Sequence, residues 1–397
     1  MIERVLRQRP RRVRFAGIAP ERVAVSALFL ANGFLIGNWA PKVPLLMERL
    51  AIGEAIAGIL VLVLGLGSVV VMPVFGALTA RNGSAYAVRI AAVLVLPTLL
   101  LVTLAPNVWL VGGAIFLFGA FVGGMDVAMN ANAVAVEKHM RKAIMSSCHG
   151  FWSLGGLIGA GSGGILASVM GEVGHALVLT LAATAVVAFA FPRIVKDRPT
   201  PEARAATRLV LPSSPLPYLL GLMALFSMVP EGAILDWAAV YLQKEMGADI
   251  SFAAFGFAAF SGMMAMVRFA GDTIRHKLGA VTTLRVSSGF ALVGLVIAGL
   301  APNIGIAILG FAVAGIGIAN LVPIAFSAAG NLPGIPAGIG MSVVTVMGYS
   351  GILVAPGAIG FIAERTSFSI IYVCLASLLL VTLALSGLAK SADFSSD

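Results

Sequence analysis

Charge is scarce in this 397-residue chain. Asp, Glu, Lys and Arg make up 11% of it, against 59% hydrophobic residues. A water-facing surface wants roughly a quarter or more of charged residues, so the composition excludes a soluble fold of this length. The mean hydropathy of +1.02 agrees. Cysteine is nearly absent, and Cys148 and Cys374 both lie in or at apolar segments, which excludes a disulfide framework. The histidines, at 139, 149, 175 and 276, are scattered and suggest no metal site. No Gly-x-x-x-x-Gly-Lys-Ser/Thr loop occurs, which argues against an ATP-driven pump. No nucleophile elbow or zinc helix motif suggests catalysis either. An enzyme with a metal or other cofactor is therefore not expected. The net charge of +9 does not indicate a nucleic-acid partner, because the basic residues fall in short clusters between apolar runs. Arg4, Arg7, Arg9, Arg11, Arg12 and Arg14 are not followed by a cleavable signal pattern.

What is abundant is long apolar sequence. Twelve runs are present, at 22–46, 55–79, 85–105, 108–136, 144–170, 174–194, 215–242, 250–274, 280–300, 303–328, 336–362 and 368–389. About 20 apolar residues suffice to cross a bilayer as a helix. The long polar interruption at 193–214 reads as a linker between two bundles, 22–192 and 215–389, flanked by tails 1–21 and 390–397. With the N-terminus in the cytoplasm, only Lys42, Arg49, Lys244 and Arg365 of the 26 basic residues fall outside. That asymmetry puts both termini in the cytoplasm and the chain in a bacterial inner membrane. The bilayer is then its main surroundings, and it is expected to act as a monomer.

The halves repeat. Asn32-Gly33 followed by Asn38-Trp39-Ala40 returns as Glu231-Gly232 followed by Asp236-Trp237-Ala238, with acids in place of amides. Ala105-Pro106-Asn107 returns as Ala301-Pro302-Asn303, and Gly150-Phe151 with Gly159-Ala160 returns as Gly348-Tyr349 with Gly357-Ala358. Six spans per half preserve orientation, so this is a parallel repeat with a binding site expected between its halves near mid-membrane.

At this point the chain resembles the major facilitator superfamily. The loop Gly76-Ala77-Leu78-Thr79-Ala80-Arg81-Asn82-Gly83 is similar to that superfamily's gating loop, with Ala80 where the acid usually stands. The equivalent loop, Arg268 to Gly279, keeps a basic residue, an acid (Asp272) and the closing glycine. The stretches 124–133, 146–156 and 231–242 resemble a bacterial branch that includes rhizopine-type, MosC-like permeases. The resemblance implies an all-α membrane protein of twelve helices in two pseudo-symmetric bundles. It also implies gating roles for Arg81, Arg268 and Asp272.

Ionisable groups inside a membrane are costly and mark function by default. Asp126 and Asn130 are four apart and share a helix face. From Lys138 they lie about 18 Å and about 12 Å deep, and His149 lies about 10 Å from Lys142, at about 1.5 Å per residue. The three can meet if spans four and five pack together, as a proton relay or as a structural network between helices. Glu231 is near mid-span, just after Pro230, a residue able to break the helix where a cavity is lined. Asp236 lies nearer the outer end, about 140° around the helix from Glu231. Arg268 and Asp272 are four apart, which suits an ion pair within one helix or a gating contact. Asn32, Asn38, Trp39, Trp152, Trp237, Asn320 and Tyr349 complete the candidates, since amides and aromatic faces suit sugar-like or polyol ligands. Each could equally tie helices together. Trp109 reads as an interface anchor.

These features indicate a secondary transporter for a small polar solute, sugar-, cyclitol- or amino-sugar-like, coupled to protons through Asp126 and Glu231. Two other readings fit the same residues. One is a proton-driven exporter of cationic or amphipathic compounds, and the other is a non-transporting receptor or scaffold on the same fold.

Overall fold

The computed structural model describes residues 19–39, 42–197, 211–248 and 250–393. The N-terminal arginines, most of the linker and the last four residues lie outside the described residues. The described chain is helical. The N-terminal half comprises α1 (Pro20–Gly37), α2 (Lys42–Leu50), α3 (Glu54–Asn82), α4 (Ser84–Val95), α5 (Thr98–Leu104), α6 (Val108–Met140) and α7 (Met145–Ala190). The C-terminal half comprises α8 (Leu216–Lys244), α9 (Ile250–Leu278), α10 (Ala280–Gly299), α11 (Ile304–Ile318), α12 (Leu321–Gly330), α13 (Ala337–Ala363) and α14 (Phe368–Ala384).

These elements make the twelve spans. The pairs α1–α2, α4–α5 and α11–α12 are each one interrupted span. In α7 the backbone leaves helical angles at Gly171 (φ 72°), where the fifth span turns back as the sixth. Among the described residues nine helices are long and apolar enough to cross a membrane. The rest of the twelve are α1, which carries Glu21, Arg22 and Asn32, the first half of α7, which carries His149, and α9, which carries Arg268 and Asp272.

The repeats have structural causes. Asn107 and Asn303 are N-caps, accepting the backbone N–H of Leu110 and Ile306, each at 3.0 Å. Gly83 and Gly279 turn the chain at φ 91° and 77°, a left-handed region that suits glycine. The helix after each turn is then capped by an acid from the end of the same bundle. Asp197 accepts from Ser84 and Ala85 (2.9 and 3.1 Å), and Asp393 accepts from Ala280 (2.6 Å). Equivalent positions do equivalent work in the two halves.

The bundles meet along α3 with α13 and α7 with α9. Their polar contacts concentrate on the face carrying Pro20, Gly83 and Gly279, here called the terminal face. Four backbone N–H groups at the start of α7 are taken by two carboxylates, one from each bundle. Glu137 Oε1 accepts from Ile144 and Met145 (2.9 and 3.1 Å), and Asp272 accepts from Ser146 and Ser147 (2.9 and 3.1 Å). Acids at a helix N-terminus satisfy donors that lack intrahelical partners and meet the positive end of the dipole. Glu137, fully buried, also pairs across the bundles with Arg275 (3.1 Å) and accepts from Ser327 Oγ (2.6 Å). Lys138 donates to the Gly330 carbonyl (3.2 Å), and Arg22 lies 3.9 Å from Asp272. Beside them Gly76 and Gly338 touch backbone to backbone.

A Cβ added to Gly338 would lie 2.4 Å from the Gly76 carbonyl oxygen. Overpacking of this kind costs on the order of 1–3 kcal/mol. Gly338→Val should therefore open the terminal face by about fivefold or more in population. Nitroxide labels at exposed positions 142 and 277, in a background lacking Cys148 and Cys374, should report a longer distance. An unchanged distance distribution would mean that the glycine contact does not hold the face shut.

Candidate functional site

The expected meeting of spans four and five occurs. Asn130, fully buried on α6, donates through Nδ2 to the Asp126 backbone carbonyl (2.9 Å) and to Asp126 Oδ1 (3.3 Å). Its Oδ1 lies 3.1 Å from Nε2 of His149 on α7. The other Asp126 oxygen, Oδ2, is buried without a hydrogen-bond partner. The His149 ring lies between Phe29 and Phe326, at centroid distances of 5.2 and 5.7 Å, one from each bundle. Next to this row, Trp152 Nε1 donates to Asn32 Oδ1 (2.9 Å), and Asn32 Nδ2 donates to the Val122 carbonyl (3.2 Å). These two residues thus join α1, α6 and α7.

Arg268 faces this row from the C-terminal bundle, and here the expectation needs correction. It does not pair with Asp272. Its Nη2 lies 3.3 Å from Glu231 Oε1, its Nη1 donates to Ser153 Oγ at 2.8 Å, and its Nε reaches the Ala319 carbonyl at 3.4 Å. Asp272 turns instead to the start of α7. The Ala319 acceptor is set by sequence: Pro323 has no N–H to give to the carbonyl four residues back, and the helix breaks between α11 and α12. That carbonyl is then free for the guanidinium. The break expected at Pro230 does not occur, because α8 runs through it unbroken.

Tyr349 on α13 lies close enough to Asp126 and Glu231 to interact electrostatically with both, and Arg268 does the same with His149. Asp126, Asn130, His149, Trp152, Asn32, Glu231, Arg268 and Tyr349 therefore form one site between the bundles. Other candidates fall elsewhere. Asn38 Oδ1 lies 2.8 Å from His175 Nε2 inside the N-terminal bundle, and Trp39 packs on Phe118. Asp236 is exposed, with no ion pair to a described residue, and Trp237 packs on Phe368. Asn320 sits on the sealed side, where a Cβ on Gly271 would strike both its Oδ1 and Ser146. Arg81 is exposed and makes no ion pair with a described residue, so the terminal face is held by Glu137, Asp272 and Arg275 instead. Glu137, Arg275, Ser153 and Ser327 were not singled out by sequence. Glu137 gave one signal, a lone acid beside the basic cluster that ends span four. Trp109 is 86% exposed, as an interface anchor should be.

Two repeated helix bundles enclosing a polar site at their interface define a membrane carrier of the alternating-access kind. The chain belongs to the Major Facilitator Superfamily, whose family profile matches residues 25–356. It is 36% identical over 351 residues to an uncharacterised transporter, y4wD, of Sinorhizobium fredii, covering 88% of this chain and 92% of that one. It is 32% identical over 341 residues to the membrane protein MosC of Rhizobium meliloti, covering 86% and 83%. Among solved structures it is similar to FucP of E. coli, a fucose:proton symporter. Against FucP in the outward conformation the TM-score is 0.77 at 15% identity, covering 93% of this chain and 98% of that one.

If the ion pair is integral to the site, removing one partner should cost more than removing both. Arg268→Met strands the Glu231 carboxylate and should destabilise the detergent-purified protein by about 2 kcal/mol. This is less than the ~3–5 of a fully buried pair, because the Glu231 side chain keeps 21% exposure. Arg268→Met with Glu231→Gln should recover most of the loss in melting temperature. A double variant as unstable as the sum of its singles would show the two groups to be independent.

Proposed function

We propose that this protein is a proton-coupled secondary transporter of a small polar organic solute, sugar-, cyclitol- or amino-sugar-like. The observation that carries the reading is Asp126. One of its oxygens is held by Asn130 and the other is buried with no partner, at the head of a row that runs to His149. A carboxylate so placed in an apolar interior is costly as an anion. Protonation removes the charge and gives the free oxygen a hydrogen to donate. From the C-terminal bundle, Glu231 and Arg268 offer an acceptor and a donor to a solute with hydroxyl or amino groups, and Tyr349 adds an aromatic face. That a fucose:proton symporter shares the fold is consistent with this reading.

The positive-inside asymmetry assigns the terminal face to the cytoplasm of a bacterial inner membrane. The sealed terminal face is then the side closed to the cytoplasm. Opening the other way requires Arg268 to leave Ser153 and Arg275 to leave Glu137, since both contacts cross between the bundles.

A thermal-shift screen of purified protein against sugars, cyclitols, amino-sugars and organic cations, at pH 5.5 and pH 8, tests the substrate class. A ligand that binds only the folded state raises the melting temperature, by about 2.7 kcal/mol of stability at a hundred times its Kd. Hits should fall among the hydroxylated compounds and be lost in Glu231→Gln. Hits confined to lipophilic cations would favour an exporter, and hits with no counterflow in proteoliposomes would favour a receptor. With a hit in hand, Asp126→Asn should abolish proton-driven accumulation while sparing solute exchange. Accumulation at the wild-type level would remove Asp126 from the coupling role.

A further inference from the structure

We propose that Asn130 insulates Asp126 from His149, and that His149 is a neutral hydrogen-bond acceptor for the solute through Nδ1 and not a proton carrier. The donors and acceptors of the row leave one arrangement. Asn130 meets the Asp126 backbone carbonyl at 2.9 Å, and a carbonyl can only accept. The Asn130 atom there is therefore Nδ2, whatever the protonation state of the Asp126 carboxyl. Its other end, Oδ1, must then face His149, and an amide oxygen also only accepts. His149 Nε2, 3.1 Å away, carries a hydrogen. In the neutral ring Nδ1 is then bare. The surroundings keep the ring neutral. Phe29 on α1 and Phe326 on α12 flank it, Arg268 on α9 repels a positive charge there, and no acid pairs with it among the described residues.

Asn130 separates the two titratable side chains because both of its ends are engaged. To pass a proton, an amide has to take one on oxygen and release another from nitrogen, going through an imidic acid. A proton taken up by Asp126 therefore stays there. It adds at Oδ2 and leaves from Oδ2, since Oδ1 already accepts from Asn130 at 3.3 Å. His149 Nδ1 has no partner among the described residues, and it is not enclosed as Asp126 Oδ2 is; the residue keeps 9% exposure. Glu231 offers the solute an acceptor on the C-terminal bundle. Nδ1 gives the N-terminal bundle an uncharged one, so the solute has to bring hydroxyl or amino donors to both. The solute contact rests on the proposed function, whereas the tautomer does not.

Protein labelled with nitrogen-15 histidine is reconstituted in lipid and studied by solid-state NMR at pH 5.5 and pH 8, with the His149 signals identified by their loss in His149→Gln. The wild type should show a protonated Nε2 and a bare Nδ1 at both pH values. Asn130→Leu, which removes the lock, should move part of the population to the Nδ1–H tautomer. Glucose, glucosamine and myo-inositol are then added in turn, and the one that raises the melting temperature most should shift Nδ1 and leave Nε2 in place. His149→Gln keeps a donor for Asn130 and lacks Nδ1. It should bind that compound about fivefold more weakly, the loss of one neutral hydrogen bond, with the protons carried per solute unchanged. An Nδ1–H tautomer or a ring cation in the wild type would overturn the proposal whatever the solute, and that measurement needs no variant to fold. An unchanged tautomer in Asn130→Leu, a stabilising compound that leaves Nδ1 unmoved, or loss of coupling in His149→Gln would overturn it too. If none of the three compounds stabilises the protein, the proposed solute class fails and the wild-type tautomer alone decides the inference.

Discussion

A guanidinium that cannot be deprotonated has to be kept inside an apolar membrane protein, and much of the site follows from how Arg268 is accommodated. Its side chain is 4% exposed, so water does little of the work. The protein supplies a carboxylate from α8, a carbonyl released by Pro323 at the break between α11 and α12, and a hydroxyl from α7. Two of these belong to its own bundle and one to the other. Relative motion of the bundles therefore changes the partner set of a buried charge, which makes the motion a matter of discrete alternatives. Under the proposed function, a solute with hydroxyl or amino groups enters that competition.

The terminal face applies the same chemistry to a different end. There the constraint is a helix start, where backbone donors lack intrahelical partners. Glu137 and Asp272 approach the start of α7 from opposite bundles and satisfy four successive N–H groups. Arg275 balances Glu137, and Ser327 ties the pair to α12. This seal is built from hydrogen bonds that can be exchanged for water when the bundles part, with glycine contacts at Gly76, Gly271 and Gly338 allowing the close approach.

The spans, the repeat and the row from Asp126 to His149 were legible in sequence because each depends on local pattern. Apolar run length sets the helices, a shared helix face brings Asp126 to Asn130, and a short connection brings α7 alongside α6. The partner of Arg268 was not legible. Spacing of four favoured Asp272, yet Glu231, 37 positions away, is nearer, because helix packing and not helix pitch decides where a long side chain ends. Asn38 illustrates the same limit: its repeat with Asp236 is plain in sequence, but its partner is His175 on a different span. Glu137 was hidden among basic residues that read as a topology signal, and only the fold shows that it is buried. The substrate is not written in any local pattern.

Proton movement accompanying solute entry tests the central claim most directly. Proteoliposomes loaded with a pH-sensitive dye would be given an accepted solute with no imposed gradient, and internal pH followed. The account predicts acidification in step with uptake through the wild-type protein, and uptake without it through Asp126→Asn. Full-rate uptake by the wild-type protein at constant internal pH would contradict proton coupling and reduce Asp126, Asn130 and His149 to a structural network.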